Sequence, residues 1–126
     1  MDRIRESEEM YLETILLLHL KKTNVRAVDV CEELGYAKSS VSRGVNLLKS
    51  KGMITVDDGT GEIEFTSAGR TKAENVFERH RVLTAALMKI GADKDLAEND
   101  ACRIEHVVSE EMMRLFKKFI EEEKEQ

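Results

Sequence analysis

With 126 residues, 41% of them apolar and 36% charged, the chain suits one domain or two small lobes sharing a core, and its 5% aromatic content describes a soluble, helix-rich protein. No apolar run approaches the roughly 20 residues of a membrane span, no signal peptide precedes the first helix, and Cys31 and Cys102 make no disulfide framework, so a reducing cytoplasm is the expected compartment. The net charge of −5 argues against nucleic acid, but the window from Tyr36 to Lys51 holds Lys38, Arg43, Lys49 and Lys51 with no acid, which makes it +4 and leaves −9 elsewhere.

Ser7 to Lys21 reads as a helix, with Ser7 as N-cap and Glu8 and Glu9 in the first turn, where the helix dipole favours acids. Tyr11, Ile15 and Leu18 form one apolar row, Leu12, Leu16 and Leu20 a second, and Met10 and Glu13 share a neighbouring face. His19, near the end of this helix, is expected to meet carbonyls or solvent. A second helix spans Arg26 to Leu34, with Ala27, Val30, Cys31 and Leu34 inward, and stops at Gly35. A third runs from about Lys38 to Lys51, with Val41, Val45 and Leu48 inward and Gly52 at its end; Lys38, Ser39, Ser40, Ser42 and Arg43 form its polar, basic leading edge. Helix, short glycine-containing turn and basic helix make a helix-turn-helix.

Met53 to Val56 and Glu62 to Phe65 flank Asp57-Asp58-Gly59-Thr60-Gly61, the pattern of a β-hairpin, and a hairpin in this place is a wing. Ser67 is expected to cap a long helix to about Lys89, striped by Val76, Phe77, His80, Leu83, Leu87 and Ile90 and broken by Gly91. A fifth helix starts near Asp93 and ends near Val108. Ser109 caps a sixth, with Met112, Met113, Phe116, Phe119 and Ile120 inward, and the tail from Glu121 is expected to fray. The fold class is mainly α with a small β-hairpin wing: a winged helix-turn-helix over residues 1–70, then a helical domain over 71–126.

The fifth helix carries Cys102, Glu105 and His106 at i, i+3 and i+4, which places a thiol, a carboxylate and an imidazole on one helical face. Taken singly, each has an ordinary reading: a buried thiol, a solvated acid, a surface imidazole. Their coincidence, with Met10 and Glu13 together on the first helix, raises a metal site to equal standing with a structural one. Cys102 and His106 could also form a nucleophile and base, but no oxyanion loop or third orienting group accompanies them, so catalysis is set aside. Neither CxxC nor HExxH spacing occurs, which excludes the common structural zinc and metalloprotease patterns. His80, within the apolar stripe of its helix, reads alone as a core or interface histidine.

Glu9-Met10-Tyr11-Leu12, Phe65-Thr66-Ser67-Ala68-Gly69-Arg70, Arg79-His80-Arg81 and Ala101-Cys102-Arg103-Ile104-Glu105-His106 resemble the diphtheria toxin repressor and manganese transport regulator family of metal-dependent prokaryotic repressors, over essentially the whole chain. The resemblance implies an N-terminal winged helix followed by a dimerisation domain, homodimers, and control of metal-homeostasis genes. It implies that Met10, Cys102, Glu105 and His106 form an iron-type primary site and that His80 is a ligand. Glu13 stands where manganese-type members use a metal-binding Glu, and Glu98 where an iron-type ancillary ligand would be His. Thr84 replaces the carboxylate that usually follows His80 by one turn. The given sequence ends before any SH3-like third domain, so the second metal is expected on Glu13, His80, Cys102 and Glu105, in the manganese manner.

The soft thiolate and thioether favour Fe²⁺ over Mn²⁺, and Co²⁺, Ni²⁺ or Zn²⁺ should bind in vitro. A palindromic double-stranded operator is the expected partner, with neither membrane nor small organic substrate. Lys38, Ser39, Ser40, Ser42 and Arg43 are the expected DNA contacts, joined by Arg26 at the head of the second helix and Thr60 at the wing tip; Arg43 is the expected base reader. The rival reading is a metal-independent winged-helix regulator that answers to an organic ligand or a protein partner.

Overall fold

A computed structural model describes residues 3–122 as α1 (Arg3–Lys21), α2 (Ala27–Leu34), α3 (Lys38–Ser50), β1 (Ile54–Val56), β2 (Ile63–Phe65), α4 (Ser67–Lys89), α5 (Lys94–Ile104) and α6 (Glu110–Glu122). No described helix is long and apolar enough to cross a membrane. The chain divides into two compact units, Met1–Glu74 and Asn75–Gln126, with the division inside α4.

In the first unit, α1 begins at Arg3 rather than at Ser7, because no Pro or Gly interrupts the preceding residues, and Ser7 is therefore an interior helical residue and not a cap. The earlier start also moves Glu8 and Glu9 out of the first turn and into the packed part of the helix, where both are buried. Glu8 pairs there with Lys51, just past α3, and with Lys72 of α4, whose Nζ is 4.0 Å away. Tyr11, Leu12, Ile15, Leu16 and Leu18 are buried as their spacing requires, whereas Leu20, in the last turn, is 69% exposed.

Helix α1 packs on α2 and α3, and α2 packs on α3. Asp29 in the first turn of α2 accepts a hydrogen bond from the Arg26 N–H at 2.8 Å, and the Lys22 ammonium beside it holds its carboxyl below the usual range. The helix ends where Gly35 takes φ 68° and its N–H returns to the Cys31 carbonyl. Val41, Val45 and Leu48 turn α3 inward, each burying an aliphatic side chain worth about 1.5–3 kcal/mol. The wing pairs Ile54 with Phe65, Thr55 with Glu64 and Val56 with Ile63, antiparallel, with Ile54 and Ile63 buried. The Ile63 N–H reaches the Val25 carbonyl at 2.7 Å, and the Ile63 carbonyl lies 2.9 Å from His19 Nε2, so the carbonyl that His19 meets belongs to β2.

The cap of α4 is Thr66, not Ser67. Its Oγ1 accepts from the Gly69 N–H at 3.1 Å and donates to the Gly52 carbonyl at 2.6 Å, so one hydroxyl starts the helix and pins it to the segment before β1. At Gly69 a Cβ would lie 1.8 Å from the Met53 carbonyl oxygen. Gly69→Ala should therefore lower stability by about 2–3 kcal/mol, read as a shift in urea midpoint. An unchanged midpoint would contradict this close approach.

In the second unit, Val76, Val82, Leu83 and Ala86 of α4 and Ala97 and Ala101 of α5 are buried; Ile90, at the end of the predicted stripe, is 70% exposed. Asp93 caps α5 by accepting from the Leu96 N–H. This helix ends at Ile104, short of the expected Val108, because the N–H groups of Val107 and Val108 both turn back to the Ile104 carbonyl. Ser109 caps α6 through the Met112 N–H. No residue of α6 is buried, and Met112 and Leu115 are exposed, although the helix has a continuous apolar face. The fraying expected of the tail falls mainly on residues 123–126, outside the described residues.

Candidate metal centre and nucleic-acid interface

Glu105 is the one fully buried charged residue among the described residues. It follows the last residue of α5 and keeps helical dihedrals, with its N–H on the Ala101 carbonyl at 2.9 Å. The face shared by Cys102 and Glu105 thus survives, while His106 sits in the turn beyond the helix. His80 of α4 places Nδ1 2.9 Å from Glu105 Oε2, and His106 Nε2 lies 3.3 Å from Glu105 Oε1. A buried carboxylate between two imidazoles is the centre of the second unit's polar chemistry.

The Glu105 hydrogen bond holds the His80 imidazole above its usual pKa against the opposing effect of burial, and the charges of Glu105 and Glu98 act in the same direction. Arg79, adjacent to His80, donates from Nη2 to the Val108 carbonyl at 2.5 Å. Consecutive residues of α4 therefore hold both the carboxylate and the turn that follows it. Thr84 Oγ1, one turn after His80, is buried without a hydrogen-bond partner. Glu98 is half-exposed, 4.0 Å from Lys94 Nζ. Cys102 is exposed and, like Cys31, outside any disulfide.

Whether these residues suit a divalent ion can be judged from Glu105 itself. Its Oε1 is buried and accepts no hydrogen bond, although His106 Nε2 lies 3.3 Å away, and an anionic oxygen so placed favours a facing cation. A carboxylate, imidazoles and a thiol nearby make a donor set that fits a first-row transition ion. In the first unit, Met10 is half-buried and Glu13 is buried on α1. Met10 Sδ accepts a hydrogen bond from Tyr36 Oη at 3.5 Å.

The outer face of α3 exposes Lys38, Ser39, Ser42 and Arg43, with Ser40 half-buried. Tyr11 anchors this helix from behind: its hydroxyl donates to the Ser40 carbonyl at 3.3 Å, and its ring occupies the space where a Gly44 Cβ would stand, 2.3 Å from Cε2. Arg26 is exposed. Thr60 is exposed at the wing tip, with its N–H on Asp57 Oδ1 and its Oγ1 accepting from the Glu62 N–H at 3.2 Å. The residues that spacing did not reveal are Tyr36, Arg79 and Glu8. Each acts through a partner 26 to 43 positions away, a separation that no local pattern signals.

Comparison with known proteins gives the family. The model described as "Iron dependent repressor, N-terminal DNA binding domain" matches residues 3–61, and "Iron dependent repressor, metal binding and dimerisation domain" matches residues 66–126. The diphtheria toxin repressor of Corynebacterium diphtheriae is 30% identical over 93% of this chain, which spans only 52% of that protein's length. The transcriptional regulator MntR of Escherichia coli is 30% identical over 91% of this chain and 74% of its own. A manganese-dependent transcriptional repressor solved with manganese superposes with a TM-score of 0.82 at 24% identity, covering 90% of this chain and 52% of that one, which shows the fold.

Proposed function

The chain belongs to the iron-dependent repressor family, and from that premise we propose that it is a metal-dependent, DNA-binding transcriptional repressor that senses a divalent ion and acts in the cytoplasm as a homodimer on a palindromic operator. The observation that carries this reading is Glu105: a fully buried carboxylate set between His80 and His106, with one oxygen lacking a donor, inside the segment that matches a metal-binding domain. A buried ion pair alone adds little stability, so so costly an arrangement suits a ligand better than a structural strut.

Met10, Cys102, Glu105 and His106 are the proposed primary ligands, with Glu13 and His80 joining Cys102 and Glu105 around a second ion. A bound divalent ion would supply the positive charge that the buried carboxylate lacks, with Met10 of α1 and Cys102 of α5 as the sulfur donors that would hold it. Glu105 supplies the anionic oxygen, and His80, whose Nδ1 faces it, orients it and would turn Nε2 to an ion that displaces the proton there. Arg79 restrains the turn in which His106 sits. The soft sulfurs of Met10 and Cys102 favour Fe²⁺, while Glu13 is the feature that favours Mn²⁺. The exposed apolar face of α6, with Met112 and Leu115 in water, supports pairing with a second copy.

On the DNA side, α3 enters the major groove with Arg43 on a base edge, while Lys38, Ser39, Ser40, Ser42, Arg26 and Thr60 position the duplex. An ion would shift the DNA-binding equilibrium only as far as it prefers the DNA-competent arrangement, and donors drawn from both α1 and α5 would give it such a preference. The reading is tested by anaerobic binding of a palindromic duplex with and without Fe²⁺. Affinity that requires the ion supports it, and affinity indifferent to a chelator contradicts it.

A further inference from the structure

Tyr36 lies in the turn between α2 and α3, one residue past Gly35 and two before Lys38, and is 43% exposed. Its hydroxyl could be satisfied by water, yet it donates to the Met10 thioether at 3.5 Å. A thioether is a weak acceptor, so the bond is easily exchanged. The next residue of α1, Tyr11, also reaches the start of α3, but by a different kind of contact. Its ring is buried against Gly44 and its hydroxyl is on the Ser40 carbonyl. Two consecutive residues of α1 therefore touch the recognition helix and its approach, Tyr11 through a packed ring and Met10 through one labile hydrogen bond.

The consequence follows from the electron pairs on Met10 Sδ. Sulfur that donates a pair to a cation has less density left to accept a hydrogen bond, so the metal and the Tyr36 hydroxyl compete for it. We propose that Tyr36 is a metal-dependent DNA-contact residue. In the metal-free protein Met10 Sδ retains its hydroxyl; once the sulfur serves a metal, the hydroxyl is released to a phosphate beside the N-terminus of α3. Hydroxyls at such a position are ordinary phosphate donors, and the neighbouring Lys38 and Ser39 are exposed on the same approach. The proposal rests on the reading of Met10 as a metal ligand.

The test uses Tyr36→Phe, which removes only the hydroxyl at an exposed position. Without DNA, Co²⁺ titration followed by thiolate-to-cobalt absorption should show the variant binding the ion about two- to fivefold more tightly, because its competitor is gone. Saturated with Co²⁺, the same variant should bind the operator about three- to tenfold more weakly, equally across operator sequences. In a Met10→Leu background, the Tyr36→Phe change should leave Co²⁺ affinity unaltered. Unchanged Co²⁺ affinity in the single variant, or the same gain in the Met10→Leu background, overturns the proposal while metal-responsive DNA binding by the unsubstituted protein stands. If the unsubstituted protein binds operator equally with and without Co²⁺, both this proposal and the functional reading fall.

Discussion

Glu105→Gln should lower divalent-metal affinity at least about a hundredfold, since even residues that only orient a ligand are worth ten- to a hundredfold and the proposed role of this one is to supply the anionic oxygen. The substitution keeps the shape of the side chain and removes its charge. If Glu105 were only one half of an ion pair with His80, the variant would lose stability through a stranded imidazole and leave metal affinity alone. The proposed role inverts that pattern. With no ion bound, a neutral amide is cheaper to bury than a carboxylate whose Oε1 accepts no hydrogen bond, so the unfolding free energy of the metal-free protein in urea should change by no more than about 1–2 kcal/mol. Metal titration and metal-free urea unfolding of the same variant separate the two cases.

Arg43→Ala should weaken operator binding about ten- to a hundredfold and relax preference at the base pair it reads. Arg43 is exposed on α3, two positions from buried Val41 and two from buried Val45 and so on the opposite side of the helix, and its removal leaves the packing of that helix intact. Lys38→Ala provides the contrast. A phosphate contact carries no sequence information, so its loss should weaken binding to all duplexes alike and flatten the slope of log affinity against log salt by about one. Anisotropy titrations across a salt series, with operators altered one base pair at a time, distinguish base reading from positioning. Equal losses for Arg43→Ala on every operator would place Arg43 on the backbone instead.

The elements of this fold are written in local signals, and those signals were legible. Gly35 and Gly52 end the helices they follow, both at positive φ, and Asp93 and Ser109 cap the helices they precede. The wing follows from two short apolar runs around Asp57-Asp58-Gly59-Thr60-Gly61. Misreadings arose where the deciding partner is remote in sequence. Ser67 looks like a cap by position, but Thr66 is chosen because its hydroxyl also reaches Gly52. Glu8 and Glu9 look like first-turn acids, yet Glu8 is buried because Lys51 and Lys72 converge on it.

The candidate site divides in the same way. Helical spacing put Cys102, Glu105 and His106 together, but not the burial of Glu105, which depends on α4 lying alongside. His80 shows the limit most clearly. On its own helix it is one member of an apolar stripe, and only its 2.9 Å approach to a carboxylate 25 residues away gives it a chemical role. No periodicity connects Tyr36 to Met10, because a turn residue has no face to share with a helix.

The central claim, that a divalent ion governs DNA binding, is tested most directly by operator affinity measured across an anaerobic Fe²⁺ titration at fixed salt. The account predicts that saturating Fe²⁺ raises affinity at least about tenfold, and that operator raises Fe²⁺ affinity by the same factor, since coupling between two binding events is reciprocal. Operator affinity that stays constant from chelated to Fe²⁺-saturated protein would contradict it.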